Sequence, residues 1–306
     1  MKGEQALAKS KEQRAELLAI ITDAIESDGL QWYKQWKVCP PVSVATGERY
    51  RGMNRVWLQH VALVKGYDDP RWVSFGTVKK LGWKIPAGCA SDTYVEAWDK
   101  RVGKKKDAEG NPVLDDDGNE ITFQYWKLVA MHAVWNCSRL EGPGEYVPEI
   151  VVMDNDYSVA DKLSNYFVDG PKLVESMAVT QAAYSPSIDR IQMPSRKLFE
   201  DGEAFASTLA HESIHSTGHK KRLNREILNW FGSSKYAQEE LVAELGSVFL
   251  MQDLGQEYRP GTFITENHAA YLQHWLNSLK SKGGEDYLSK AVTDALAAVE
   301  YIEGRL

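Results

Sequence analysis

The residues with the clearest chemical meaning are His211-Glu212-Ser213-Ile214-His215. The stretch before them, 204–210, contains no helix breaker, so the five residues are expected inside a helix. At 3.6 residues per turn, His211 and His215 sit about 40° apart around the axis, one turn from each other. Both imidazoles therefore point the same way and can share one metal ion. Glu212 is rotated by about 100° from His211, beside that ion. A divalent metal makes a neighbouring water acidic near neutral pH, so one carboxylate suffices as general base, and Glu212 is the expected catalytic residue. Two imidazoles and a carboxylate suit zinc. They also suit other divalent ions such as manganese.

A catalytic zinc needs a third protein ligand. The expected source is the helix carrying Glu239-Glu240-Leu241-Val242-Ala243-Glu244. Glu240 and Glu244 share a face one turn apart, and that face adjoins Leu241 and Phe249. Two carboxylates near a core repel unless a cation or an imidazole lies between them. Glu240 is accordingly expected on the metal and Glu244 behind a ligand histidine, with Glu239 the alternative in register. His219 competes for the third position, one turn past His215, but Gly218 is expected to end the helix first. Tyr236 is placed to donate to an oxyanion or simply to pack.

These residues need elements to hold them. Residues 201–217, 235–253, 265–280 and 284–302 have helical patterns, and 178–184 and 189–193 read as short strands. The strand at 189–193 is expected to offer an edge to an extended substrate. Earlier, 5–27 reads as a helix with Leu17, Leu18, Ile21 and Ile25 on helical spacing, and 54–65 as a second helix ending at Gly66. Residues 71–75 read as a short helical turn, 93–98 as a strand, and 121–136 as a strand pair or one long strand. Between them, 103–120 is rich in charge and turn residues and is expected to be an exposed hairpin loop. The expected fold is α+β in two domains, 1–144 and 145–306, divided at Leu140-Glu141-Gly142-Pro143-Gly144.

The net charge of −7 is unevenly spread. Residues 1–145 hold 21 Lys+Arg against 20 Asp+Glu, and the remainder 15 against 23. Eight of the ten tryptophans lie in that near-neutral first half. In it, cations sit beside rings: Lys34 and Trp36, Arg51 after Tyr50, Arg55 and Trp57, Arg71 and Trp72, with Asn54 among them. Single-stranded nucleic acid needs that mixture, cations for phosphates and flat rings for bases. Three dispersed cysteines form no CxxC pair, and no stretch is apolar enough to span a membrane. The N-terminal residues lack the apolar run of a signal peptide, so a cytoplasmic protein is expected.

The run His211-Glu212-xx-His215-xx-Gly218-His219-xx-Arg222-Leu223-Asn224-Arg225, followed by 239–245, resembles the C-terminal domain of ArdC-type antirestriction proteins. Ala183-Tyr184-Ser185-Pro186, Asp189-Arg190-Ile191-Gln192-Met193-Pro194, Tyr50-Arg51-Gly52-Met53-Asn54, 71–75 and Val134-Trp135-Asn136 are similar to that family too. The resemblance implies a plasmid- or phage-borne protein that protects incoming DNA from restriction. It also implies an N-terminal single-strand DNA-binding domain joined to a zincin-like domain. The run 240–244 resembles the ExxAD run of gluzincin peptidases, whose first Glu is the ligand; this favours Glu240 over Glu239, with Glu244 one methylene longer than the Asp it replaces. Two further readings are open. In one, the chain is a metallopeptidase whose first half recruits a host protein substrate. In the other, it is a DNA binder with a structural metal.

Overall fold

Leu17, Ile21, Ala24 and Ile25 form one buried face of the first helix, α1 (Glu4–Asp28). The computed structural model describes residues 1–28, 39–147, 157–227, 233–256 and 268–306. A short strand β1 (Val42–Ser43) leads to α2 (Gly52–Lys65), which buries Met53, Val56, Trp57, Leu58 and Val61. Gly66 ends α2 in the left-handed conformation at φ 67°, as the sequence predicts.

The segment 71–75, expected to open a short helical turn, forms a strand, β2 (Arg71–Ser74), and the short helix α3 (Phe75–Leu81) opens only at its last residue. Trp72 and Val73 are both fully buried, because β2 lies between two neighbours and is covered on both faces. Two long strands follow, β3 (Thr93–Lys104) and β4 (Thr122–Asn136), and the sheet order is β1-β2-β4-β3. β2 pairs with β4 only over Val134–Asn136, so the far parts of β3 and β4 form a two-stranded ribbon. The tip between them carries two exposed turns in series. In each, an aspartate, Asp107 or Asp115, accepts backbone N–H groups from residues two and four ahead.

The second half opens with α4 (Ser158–Leu163) and a three-stranded sheet of β5 (Lys172–Ser176), β6 (Ala183–Ser185) and β7 (Arg190–Pro194) in the order β5-β7-β6. β7 is central, paired on both sides, so the expectation that 189–193 offers a free edge fails. The expected strand at 178–184 shrinks to β6, which is an edge. Four helices follow among the described residues: α5 (Gly202–Thr217), α6 (Ser234–Asp253), α7 (His268–Leu279) and α8 (Gly284–Glu303). No helix of the described residues is long and apolar enough to cross a membrane.

One hydrophobic core runs through both halves, from Leu17 and Trp72 to Phe249 and Val299. Here α1 packs on α7 and α8, and α2 on α8. A buried clasp joins α2 to α6: the Arg55 guanidinium donates to both oxygens of Asp253 at 2.8 and 2.9 Å and lies over the Phe249 ring.

Candidate metal centre

Asp201 caps α5 by accepting from the Ala204 N–H at 2.8 Å, a contact worth about 1 kcal/mol. Small residues then let α5 lie deep in the core, and α6 crosses it closely. The two helices are tightly packed at Gly246, where an added Cβ would fall 2.9 Å from the Ile214 side chain. That proximity brings three carboxylates of α6 to two imidazoles of α5.

His211 Nε2 and His215 Nε2 face each other at 3.1 Å. Each lies 3.6 Å from a different oxygen of Glu240. His211, His215 and Glu240 are the only group of three such donors among the described residues whose atoms all fall within 4.8 Å of one another. The outer nitrogens of the two rings also face carboxylates. Glu244 is 3.6 Å from His211 Nδ1, and Glu239 is 3.3 Å from His215 Nδ1. The two alternatives in register thus take different places, Glu240 between the rings and Glu239 behind one of them. His211, Glu212 and Glu240 are 3%, 6% and 8% exposed.

The electrostatics show a centre built around positive charge. Burial opposes a proton on His211, but Glu240 and Glu244 outweigh it and push the imidazole up to about 9. Burial likewise opposes a proton on His215, and Glu240 and Glu239 raise it well above its ordinary value. For Glu240, burial opposes ionisation, yet the two rings hold the carboxyl far below the usual range. A divalent cation fits such a donor set: two nitrogens and a carboxylate converge, and each ring has a carboxylate behind it. For Glu212 burial prevails and raises the carboxyl, with His211 and His215 partly offsetting it. The Tyr184 backbone on the edge strand β6 also favours the charged Glu212 carboxylate, more weakly than the two imidazoles do.

Two arginines after α5 brace this arrangement, and sequence reasoning gave neither a role. Arg225, 8% exposed at its side chain, donates to both oxygens of Glu239 and to the Ile214 carbonyl. Arg222 forks Asp189 and donates to the Tyr184 hydroxyl at 3.0 Å, holding the β6–β7 hairpin against α5. Asn224 between them takes φ 51°, a left-handed turn that asparagine tolerates. The visible signal was two arginines three residues apart just past the His pair.

His219 stays outside the donor group, 3.9 Å from Asp189, because the chain leaves the helix at Gly218. Tyr236 packs against the core and is half-buried. A cleft of about 450 Å³ past the end of α5 is lined by Pro186, Ser187, His219, Asn224, Arg225 and Lys235 and by none of the metal donors.

The expected nucleic-acid contacts fare differently. Lys34 and Trp36 lie outside the described residues. Trp57 and Trp72 are core residues at 7% and 1% exposure and have no face to offer a base. Arg55 is spent on Asp253. Asn54 is bound to the Glu96 backbone through both its side-chain atoms. Arg71 forks Asp69 and reaches the Pro143 and Gly144 carbonyls. Of the described candidates, Arg51 alone is exposed, beside Glu300. The sequence shows that rings adjoin cations, but rings adjoining cations also pack well in cores.

Comparison with known proteins places these features in two matching families. Residues 11–129 match the N-terminal domain of anti-restriction factor ArdC, and residues 165–291 match a zincin-like metallopeptidase family. The chain is 28% identical over 301 residues to a DNA primase TraC of Escherichia coli, covering 95% of this chain and 27% of that protein. The chain thus spans about a quarter of that relative. An uncharacterized protein of Sinorhizobium fredii, y4eC, is 29% identical over 85% of this chain and 82% of its own length. Among solved structures, the metal-free antirestriction ArdC protein of plasmid R388 superposes with a TM-score of 0.68 at 29% identity, covering 95% of this chain and 97% of that one. Its Mn(II)-bound form gives 0.66 at 28% identity, with the same coverage.

Proposed function

Because the chain is an ArdC-type protein, joining the ArdC N-terminal domain to a zincin-like domain, we propose that it acts as an antirestriction accessory of DNA transfer. It holds single-stranded DNA without sequence preference and carries a metal-dependent, peptidase-like centre directed at a host protein. The observation that carries the second part is the convergence of His211, His215 and Glu240 beside a buried Glu212. The ion is zinc, or manganese as in the R388 relative.

A divalent ion in this centre supplies a Lewis acid that makes water a nucleophile near neutral pH. The residues of the chain do the rest. Glu239, bonded to His215 Nδ1, fixes the tautomer of that ring, and Glu244 lies 3.6 Å behind His211 Nδ1, so that both Nε2 atoms face inward. Glu212, its carboxyl raised by burial, takes a proton readily and returns it to the leaving amine. The edge strand β6 gives an extended peptide a backbone to pair with, next to Glu212.

The test is Glu212→Gln beside wild type, with metal content by elemental analysis and cleavage of labelled casein. Both proteins should hold about one metal per chain, and the variant should cleave slower by a factor of roughly 10²–10⁴. The deep burial of His211 and of Glu240 favours a second reading, a structural metal in a DNA-protecting protein. One metal per chain with no cleavage by wild type, and full protection of transferred DNA by Glu212→Gln, would establish that reading instead.

A further inference from the structure

The ribbon formed by the far parts of β3 and β4 exposes large rings where a soluble surface usually has none. Trp126 is 63% exposed, Phe123 51%, Trp98 43% and Tyr125 42%. Residues opposed across an antiparallel pair share a face. Arg101 opposes Tyr125 and Gly103 opposes Phe123, so one face carries Phe123, Tyr125, Arg101 and Lys127. Lys100 opposes Trp126 and Trp98 opposes Leu128, so the other face carries Trp98, Trp126, Lys100 and Lys104. Each face thus alternates rings with cations.

Phe123 lies over the bare backbone of Gly103, where an added Cβ would meet its ring at 2.8 Å, and its ring centre is 5.7 Å from that of Tyr125. The shaft, residues 98–106 and 121–128, carries Lys100, Arg101, Lys104, Lys105, Lys106 and Lys127 against the one acid Asp99. The acids of the hairpin gather at the tip instead. Two of the cations have exposed partners, Arg101 with Asp99 and Lys104 with Glu120. Such pairs are weak and yield readily to a phosphate.

We propose that this ribbon, and not the ring and cation pairs of the core, is the surface that binds single-stranded DNA. The inference rests on the single-strand reading above and gives it a place. Rings stack on bases of any sequence, and the shaft cations meet the phosphates. A duplex keeps its bases stacked inside and offers these rings nothing, so single strands are preferred.

The test uses the full chain and fluorescein-labelled oligo-dT, with anisotropy read over a range of salt. Tyr125→Ala and Trp126→Ala should each weaken binding roughly tenfold, while Tyr125→Phe and Trp126→Phe keep it. The double variant Lys100→Gln/Lys104→Gln should flatten the salt dependence by roughly 0.7 in log–log slope for each phosphate left without its cation. Arg51→Gln, exposed elsewhere, should bind as wild type does. Melting temperatures of the ring variants should match wild type, since these side chains bury little. No binding of oligo-dT by wild type would sink the single-strand reading itself. Binding by wild type with equal affinity in both alanine variants would overturn the ribbon alone and leave it as a protein-docking arm. Weakened binding with a lowered melting temperature and no rescue by phenylalanine would also count against it.

Discussion

Arg225 holds Glu239 by both carboxylate oxygens, at 3.0 and 2.6 Å, and Glu239 in turn faces His215 Nδ1 at 3.3 Å. Burial alone would raise the Glu239 carboxyl, but His215 and Arg225 keep it below its ordinary range and therefore charged. The loop after α5 thus reaches back to orient an imidazole of the candidate metal centre.

Removing that brace should be felt at the metal. Arg225→Ala should weaken metal binding roughly 10–100-fold, the usual cost of losing an outer partner of a ligand histidine. Arg225→Lys should recover little, because an ammonium cannot fork a carboxylate. Competition with a metal-sensitive dye measures both; metal affinity unchanged in Arg225→Ala would refute the brace.

Glu240 should behave as a donor and Glu244 as a support. Glu240→Ala should lose the metal on dialysis, and its melting temperature should no longer rise with added zinc or manganese. Glu244→Ala should retain metal with lower affinity. Equal metal retention in the two variants would reassign the third ligand.

Gly246 of α6 packs tightly against Ile214 of α5. An added methyl has no room beside the fully buried Ile214, so Gly246→Ala should cost about 1–3 kcal/mol and separate the helices. Chemical denaturation reads the first effect and metal content the second. The double variant Gly246→Ala/Ile214→Val should regain part of both.

Asp92 should govern part of the acid sensitivity of the first half. Burial works against its charge, but Lys65, the Asn136 N–H, Tyr67 and Arg139 outweigh it and hold the carboxyl below its ordinary value of 3.8. A carboxyl lowered on folding contributes stability above its unfolded value and loses it as pH falls through the lower folded value. Asp92→Asn should therefore cost roughly 1–3 kcal/mol at neutral pH. The gap to wild type should narrow as the solution is taken below pH 3.8 towards the folded value. Urea unfolding at a series of pH values tests this, and a gap that widens on acidification would refute it.

Helices were the most legible part of the sequence. Apolar spacing marks α1 and α8, the breaker-free run before His211 marks α5, and Gly66 and Gly218 mark where α2 and α5 stop. The His211–His215 pair was legible for the same reason, since helical geometry fixes their common direction before any tertiary contact forms. Short strands were less so. Lys172–Ser176 has neither length nor alternation to announce it, and the central place of Arg190–Pro194 depends on β5. The nucleic-acid residues were least legible, because adjacency in sequence does not say which way a ring points. Trp72 and Trp126 both adjoin a cation in the chain, yet one is core and the other surface.

The helix α6 carries Glu239, Glu240 and Glu244 towards its start and Asp253, clasped by Arg55, at its end. Fastened at both ends, α6 should couple the stability of one half to that of the other. A cation that binds only the folded centre should therefore protect α2 as well as α5, slowing amide exchange in a helix that touches no donor. By reciprocity, an oligonucleotide that tightens the first half should raise the affinity of the distant centre for its ion by the same factor that the ion raises the affinity for DNA.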